Sequence, residues 1–353
     1  MSLRRNEFFV GSGALLLLAA LLVPTGAAAQ DMNIALSRLR IDAEDPIANP
    51  DTPCSSTFNS DGMPLTRAYC MDENAWRRVM TQFTSSMMPP ILTNAGTRGV
   101  RGIYVGFETW LTGIDNDQEY WHRAVEGDGG SADFGRSRFV DNVLAWGRLN
   151  VRKGLPFGFE LGTNVGYMAN STYWTLGLEV RWALFEGFRE DVGWIPDIAV
   201  RAAVQTLLGD NEFNVTVPSF DIILSEPFVV GNSVEITPSF FTQIAWIFAD
   251  TELVDLNRDQ SAFEPCDPDP ATPTSGSPPY CRGDGMELNH NVVFPSIRTT
   301  RVRVGGGLNL RYEWFTLMGS ALVDVARPSD FDGSLPTDLP AQWQVNIGAG
   351  LTF

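Results

Sequence analysis

The sequence predicts an all-β fold, an antiparallel transmembrane β-barrel of about ten strands, and three observations carry that prediction. The first is the run that ends the chain. Trp343, Val345, Ile347, Ala349, Leu351 and Phe353 make one apolar face with a period of two, while Gln342, Gln344, Asn346, Gly348, Gly350 and Thr352 make a polar or small face. A strand with lipid on one side and a polar interior on the other reads this way. The second is repetition, because ten such alternating segments lie between about residue 100 and residue 353. The third is that no apolar run after residue 29 approaches the roughly 20 residues that a spanning helix requires. A closed barrel is the other way to satisfy every backbone group inside lipid.

Residues 1–29 read as a signal peptide. Arg4 and Arg5 form a basic start, Gly13 to Val23 an apolar stretch, and Ala27-Ala28-Ala29 a small-residue cleavage pattern before Gln30. A membrane anchor is the alternative, but Pro24 interrupts its apolar core. Residues 30–99 differ from the rest and form an N-terminal periplasmic or plug segment. A Pro/Asp/Asn-rich stretch holding Cys54 and Cys70 precedes a helix expected over 72–87. Asp72 can cap that helix and Pro89-Pro90 stop it. Trp76, Val79, Met80, Phe83 and Met87 fall on one side at helical spacing. Such a stripe has to bury against the barrel lumen or the periplasmic rim. Packing at the periplasmic end is the reading favoured over a gating plug. Residues 31–41 could also pair into the barrel, which makes twelve strands the alternative count.

The strands are expected at 100–111, 139–152, 157–168, 172–184, 196–208, 214–226, 233–248, 299–313 and 315–326, followed by the C-terminal run. Pro218 and Pro238 weaken two of them, because proline cannot donate to a ladder. Barrels of this kind join strands by short periplasmic turns and longer outer loops. With Phe353 at the periplasmic end, the two longest connections, 249–298 and 113–138, both fall outside. That topology sets Cys54 and Cys70 on one side of the membrane and Cys266 and Cys281 on the other, so local pairing is expected for both disulfides. The Pro-rich centre of 249–298 would not fold by itself.

The polar faces carry Glu108, Arg148, Arg152, Glu160, Glu179, Arg181, Asp197, Arg201, Asp221, Glu235, Arg301, Arg303, Arg311 and Asp324, the expected lumen lining. Arginines and carboxylates balance, which argues against a strongly ion-selective pore. Charges taken out of water need partners, so the alternatives are a barrel glued shut and a small aqueous passage. The net charge of −17, with Lys153 as the one lysine, argues against nucleic acid or an anionic membrane surface as a partner. The preference for arginine carries no function at this stage. Trp110, Trp121, Tyr167, Tyr173, Trp194, Trp246, Tyr312, Trp314 and Trp343 lie near strand ends, where interfacial girdles belong.

Catalytic signals are thin. His122 and His290 both fall in acidic outer loops without a hydrolase motif around them. The run Asp115 to Glu119 alternates oxygen ligands but lacks the glycine and terminal glutamate of a calcium loop. No catalytic residue, metal site or cofactor is assigned.

The export signal, the alternating strands and the ending Leu351-Thr352-Phe353 together resemble bacterial outer-membrane β-barrel proteins over about residues 100–353. The resemblance implies the outer membrane of a Gram-negative bacterium, with membrane lipid and lipopolysaccharide around the barrel. It also implies that Trp343, Val345, Ile347, Leu351 and Phe353 are the strand read by the barrel assembly machinery. The expected function is a passive channel or transport-type barrel for small solutes or apolar compounds. The alternatives are a non-conducting structural or surface-interaction barrel with acidic outer loops, and an outer-membrane hydrolase.

Overall fold

Period-two alternation makes one face of each strand apolar, and ten such strands can hide all their backbone groups only by closing on themselves. The computed structural model describes residues 31–42, 69–127, 137, 140–184, 196–231, 233–256 and 291–353, and it shows that closure. The strands are β1 Ile103–Gly113, β2 Val143–Gly154, β3 Phe159–Met168, β4 Trp174–Ala183, β5 Asp197–Leu208, β6 Phe213–Ser225, β7 Val234–Thr251, β8 Ile297–Tyr312, β9 Phe315–Asp324 and β10 Trp343–Thr352. Each pairs antiparallel with its neighbours in sequence, and β10 pairs with β1, so the ten-stranded ladder has no edge. The ten expected segments and the ten observed strands coincide to within a few residues. Phe353 and Ile103 exchange backbone hydrogen bonds of 2.9 and 3.0 Å at the closing seam.

The prolines stay within β6 and β7 because of where the ladder breaks. Pro218 pairs in register with Val204 of β5, while the β6–β7 ladder skips from Thr216 to Ser219. Pro238 lies one residue beyond the last β6–β7 pair, Ser225 with Ser239. A missing N–H therefore costs little at either position.

The alternation sorts side chains as expected. On β4, Trp174, Leu176, Leu178, Val180 and Trp182 face outward and exposed, while Thr175, Glu179 and Arg181 are buried inside. The same holds on β10, where Trp343, Val345 and Ile347 point out and Gln344 and Asn346 point in. The exterior is thus an apolar belt, and the polar faces of these strands turn inward.

The N-terminal region is not where the sequence favours it. Helix α1, Glu73–Ser86, lies inside the barrel and not at the periplasmic rim. Asp72 caps it as expected, accepting from the Ala75 N–H at 2.9 Å. Its first turn meets the end of the barrel that bears the long connections, where the Trp76 indole donates to the Pro295 carbonyl at 2.9 Å. Residues 87–98 then run extended down the lumen to the opposite end, which bears the short turns. There Lys153 donates to the Val100 carbonyl at 2.9 Å, just before β1 begins. The physical reason is volume and chemistry together: a barrel of this width has an interior that must be filled, and its inward face supplies partners for both an apolar stripe and a polar chain.

The twelve-strand alternative is also overturned. Asp31–Ile34 pairs with Val125–Gly127 above the barrel, and Arg40–Asp42 pairs with Tyr69–Met71. Cys70 therefore lies at the loop end, on the same side as the connection between β7 and β8, so opposite sides of a membrane no longer decide the disulfide pairing. Cys70 is not a free thiol. Cys54, Cys266, Cys281, His290 and the signal segment lie outside the described residues.

An arginine on the outer belt should be as unfavourable as one placed in lipid. Ile347→Arg, at a position 59 % exposed, is expected to lower unfolding stability in lipid vesicles by about 2–4 kcal/mol. Thr337→Arg, in the loop after β9, should stay within about 0.5 kcal/mol of wild type. Equal stabilities of the two variants would contradict a lipid-facing belt.

Candidate functional site

The barrel interior divides into an apolar half at the loop end and a charged half at the turn end. In the apolar half, α1 presents Trp76, Val79, Met80 and Phe83, followed by Met87 at its C-cap, all fully buried. Phe83 packs edge-on against Tyr173 at 5.6 Å and Phe213 at 5.8 Å. Trp110 and Trp146 stack at 5.9 Å, and both indoles donate to Ser86, at 2.7 Å to its carbonyl and 3.1 Å to its hydroxyl. Three residues expected in the interfacial girdle, Trp110, Trp121 and Tyr173, are thus core residues. For Trp110 the reason was legible, since it shares its face of β1 with Glu108. Tyr167, Trp246, Tyr312, Trp314 and Trp343 do face outward, and Trp194 lies outside the described residues.

The helix is tied to the surrounding loops by a few polar groups. Gln82 donates to the Tyr120 hydroxyl at 2.9 Å and accepts from the Asp115 N–H at 2.8 Å and the Trp121 indole at 3.2 Å. At the rim Arg78 pairs with Asp338 at 2.9 Å, and that hydrogen-bonded guanidinium holds the Asp338 carboxyl below its ordinary range. Of the two histidines, His122 donates through Nδ1 to the Ser137 carbonyl at 2.7 Å.

In the charged half, six side chains from five strands form an alternating ladder. Arg148 pairs with Glu108 at 2.5 Å, Glu108 with Arg152 at 2.8 Å, and Arg152 with Glu179 at 2.7 Å. Glu179 then pairs with Arg201 at 3.0 Å, and Arg201 with Asp221 at 2.6 Å. Arg152 is on β2 and Glu179 on β4, so their contact has to cross β3. Gly162 permits it: a Cβ there would lie 2.6 Å from the Glu179 Cγ. Two further groups flank the ladder. Glu160 is shared by Arg181 at 2.9 Å and Arg98 at 3.1 Å, and Asp324 is shared by Arg301 and Arg303.

These arginines do a second job, which composition alone did not disclose. Past Ser86 the chain carries Pro89-Pro90 and cannot continue as helix, so its buried carbonyls there need outside donors, and the wall also reaches two carbonyls within the helix. Arg301 donates to the Thr81 carbonyl at 2.6 Å and Arg303 to that of Ser85 at 3.1 Å. Arg201 donates to Pro90 at 2.9 Å and Pro89 at 3.2 Å, where Gln243 adds a bond of 2.9 Å. Ser320 donates to Ile91 at 2.6 Å, Arg152 reaches Leu92, and Arg181 reaches Asn94. A guanidinium has five donors in a rigid fork, so one arginine serves a carboxylate and a carbonyl together, which the compact ammonium of lysine does less well. The arginine bias is therefore structural.

Two participants escaped the sequence reading. Arg98 sits in the N-terminal region, outside any strand pattern. Tyr104 shares the inward face of β1 and lies between two guanidinium groups, with Arg98 4.4 Å and Arg152 5.0 Å from its ring centre. Gly350 makes room for it, since a Cβ there would lie 2.4 Å from the ring.

Three residues expected in the lumen lie instead at its turn-end rim. Glu235 and Arg311 face each other in register on β7 and β8, and Arg311 is solvent-exposed. With Asp197 they line an open vestibule of about 170 Å³. By contrast every ladder residue is at most 6 % exposed, so the middle of the barrel is closed to solvent.

No protein-family model matches the chain, and no curated protein matches it in sequence. Among solved structures, the N-terminal β-barrel domain of OprF from Pseudomonas aeruginosa is 10 % identical, aligns over 71 % of this chain and 97 % of its own, and has a TM-score of 0.24. Ail, the attachment invasion locus protein of Yersinia pestis, is 10 % identical over 71 % and 97 %, with a TM-score of 0.25. The translocator domain of the autotransporter NalP from Neisseria meningitidis is 9 % identical over 72 % and 89 %, with a TM-score of 0.27.

Removing one partner from a buried ion network leaves the others uncompensated, which costs about 3–5 kcal/mol. Glu179→Gln is therefore expected to lower the unfolding midpoint sharply, as read by the mobility of unheated samples on gels. Arg201→Lys should do likewise despite keeping its charge, because one ammonium cannot serve Asp221, Glu179 and two carbonyls. Arg311→Lys at the rim should have no measurable effect.

Proposed function

From the architecture of a bacterial outer-membrane β-barrel, filled inside by its own chain, we propose that this protein is a non-conducting membrane anchor that presents structure at its loop end. One observation carries the reading: residues 73–98 occupy the lumen from one end to the other, and the buried arginines around them are engaged in ion pairs and as carbonyl donors. A passive pore needs a continuous polar path with groups free to meet a solute, whereas here the lining charges are consumed by each other and by the chain. Sequence alone favoured the channel; the filled lumen supports its rival. The loop end then faces the cell exterior and the turn end the periplasm, in keeping with the short-turn rule. Lipid and lipopolysaccharide are the partners of the outer belt and rim. Residues 1–29 act as a cleaved export signal, and Trp343, Val345, Ile347, Leu351 and Phe353 offer the assembly machinery an apolar strand face. Cys54 with Cys70 and Cys266 with Cys281 remain the proposed disulfides, and the reading assigns no catalytic residue.

Planar-bilayer recording tests the closed lumen. The full chain should give no steady current, and a variant lacking residues 72–88 that still inserts should give clear current through the emptied barrel. A uniform ohmic conductance from the full chain would overturn the proposal in favour of a channel.

A further inference from the structure

We propose that the segment ahead of the lumen helix stands on the cell surface, and that a function of the barrel is to carry that segment across the membrane and hold it there. The inference rests on the orientation given above, with the turn end toward the periplasm.

The path of the chain is the first argument. Ten strands return β10 to the end where β1 began, so the barrel by itself leaves both its termini at the turn end. The lumen segment adds one crossing, from Asp72 at the loop end to Arg98 at the turn end, where Arg98 meets Glu160 and donates to the Thr352 hydroxyl. An uneven number of crossings puts everything before Asp72 on the side of the long loops.

The contacts of that preceding segment agree, because it touches four of the five loop-end connections, and α1 reaches the fifth. Asp31–Ile34 pairs with Val125–Gly127 in the loop after β1. Met32 donates its N–H to the Asn170 carbonyl after β3, and Leu36 donates to the Glu212 carboxylate after β5 at 2.7 Å. Arg40 donates to the Leu256 carbonyl after β7, and Arg78 of α1 pairs with Asp338 after β9. Arg40–Asp42 and Tyr69–Met71 pair with each other at this same end.

The third argument is energetic. Asp72, Glu73, Arg77 and Arg78 would each cost roughly 2.5–3.5 kcal/mol or more at the centre of a bilayer. A route through lipid after the barrel has closed is therefore disfavoured. The interior supplies paired charges and carbonyl donors along the whole path, so the segment crosses within the barrel.

Epitope accessibility on cells tests this directly. One epitope is inserted after Asp42, one after Gly333 in the loop following β9, and one after Gly231 in the turn before β7, each in an otherwise complete chain checked for heat-modifiable mobility. The expected result is antibody binding on intact cells for the Asp42 and Gly333 epitopes, and only after permeabilisation for Gly231. Labelling of Asp42 only after permeabilisation, with Gly333 labelled on intact cells, would overturn the surface placement while leaving the barrel's orientation standing. Gly231 labelled outside and Gly333 inside would instead overturn the orientation, and the proposal with it. Should the Asp42 insertion prevent folding, Arg38→Lys with a membrane-impermeant amine reagent reads the same side. Labelling of the Arg38→Lys variant above the wild-type level on intact cells is expected. An excess over wild type that appears only after permeabilisation would overturn the proposal.

Discussion

The structure depends on one constraint, that a polar chain inside a closed barrel has to find a partner for every carbonyl and every charge it carries. Water is excluded from the middle of this lumen, so the donors have to come from the wall. Arginine meets both requirements at once. Arg201 holds Asp221 and Glu179 with part of its fork and the carbonyls of Pro89 and Pro90 with the rest. The lumen chain and the ion ladder are therefore a single network. The carbonyls take up guanidinium donors that the carboxylates leave, and the arginines make it tolerable for an unhelical chain to be buried.

The two halves of the interior divide this task by chemistry. Where the lumen chain is helical, its backbone largely satisfies itself, and much of the surrounding wall is aromatic, as at Tyr173 and Phe213 around Phe83, with Arg301 and Arg303 reaching the carbonyls of Thr81 and Ser85. Where Pro89-Pro90 end the helix, the wall changes to arginine and carboxylate. The change in the wall broadly follows the change in the chain, from mostly aromatic around the helix to mostly charged around the extended run. The small residues complete the fit: Gly162 lets Glu179 reach across a strand, and Gly350 admits the ring of Tyr104.

Much of this was legible in the sequence. Strand positions, their inward and outward faces, and the helix with its Asp72 cap follow from period two, period 3.6 and capping chemistry, all of which are local. Pairing of the inward charges was also foreseeable, because balanced arginines and carboxylates in a narrow barrel have few other uses. The rest was not local. Nothing in the alternation of β1 says that Trp110 stacks on Trp146 beneath a helix, and Arg98 has no strand pattern to identify it. The apolar stripe of α1 required burial but named no place, since a rim and a lumen would cover it equally well.

By itself, then, the sequence determined the barrel: its ten alternating segments, their register faces and most of the charges turned inward, because a period of two cannot slip by one residue without turning every apolar side chain to the wrong solvent. The tertiary structure decided what fills that barrel and on which side the N-terminal region lies. The reason is that these depend on contacts between residues far apart in the chain, such as Arg303 with Ser85 and Leu36 with Glu212, whose side chains carry no periodic mark of their partners. A channel and a closed anchor share the same strands, and the chain threaded through the lumen is the feature on which the proposal of an anchor rests.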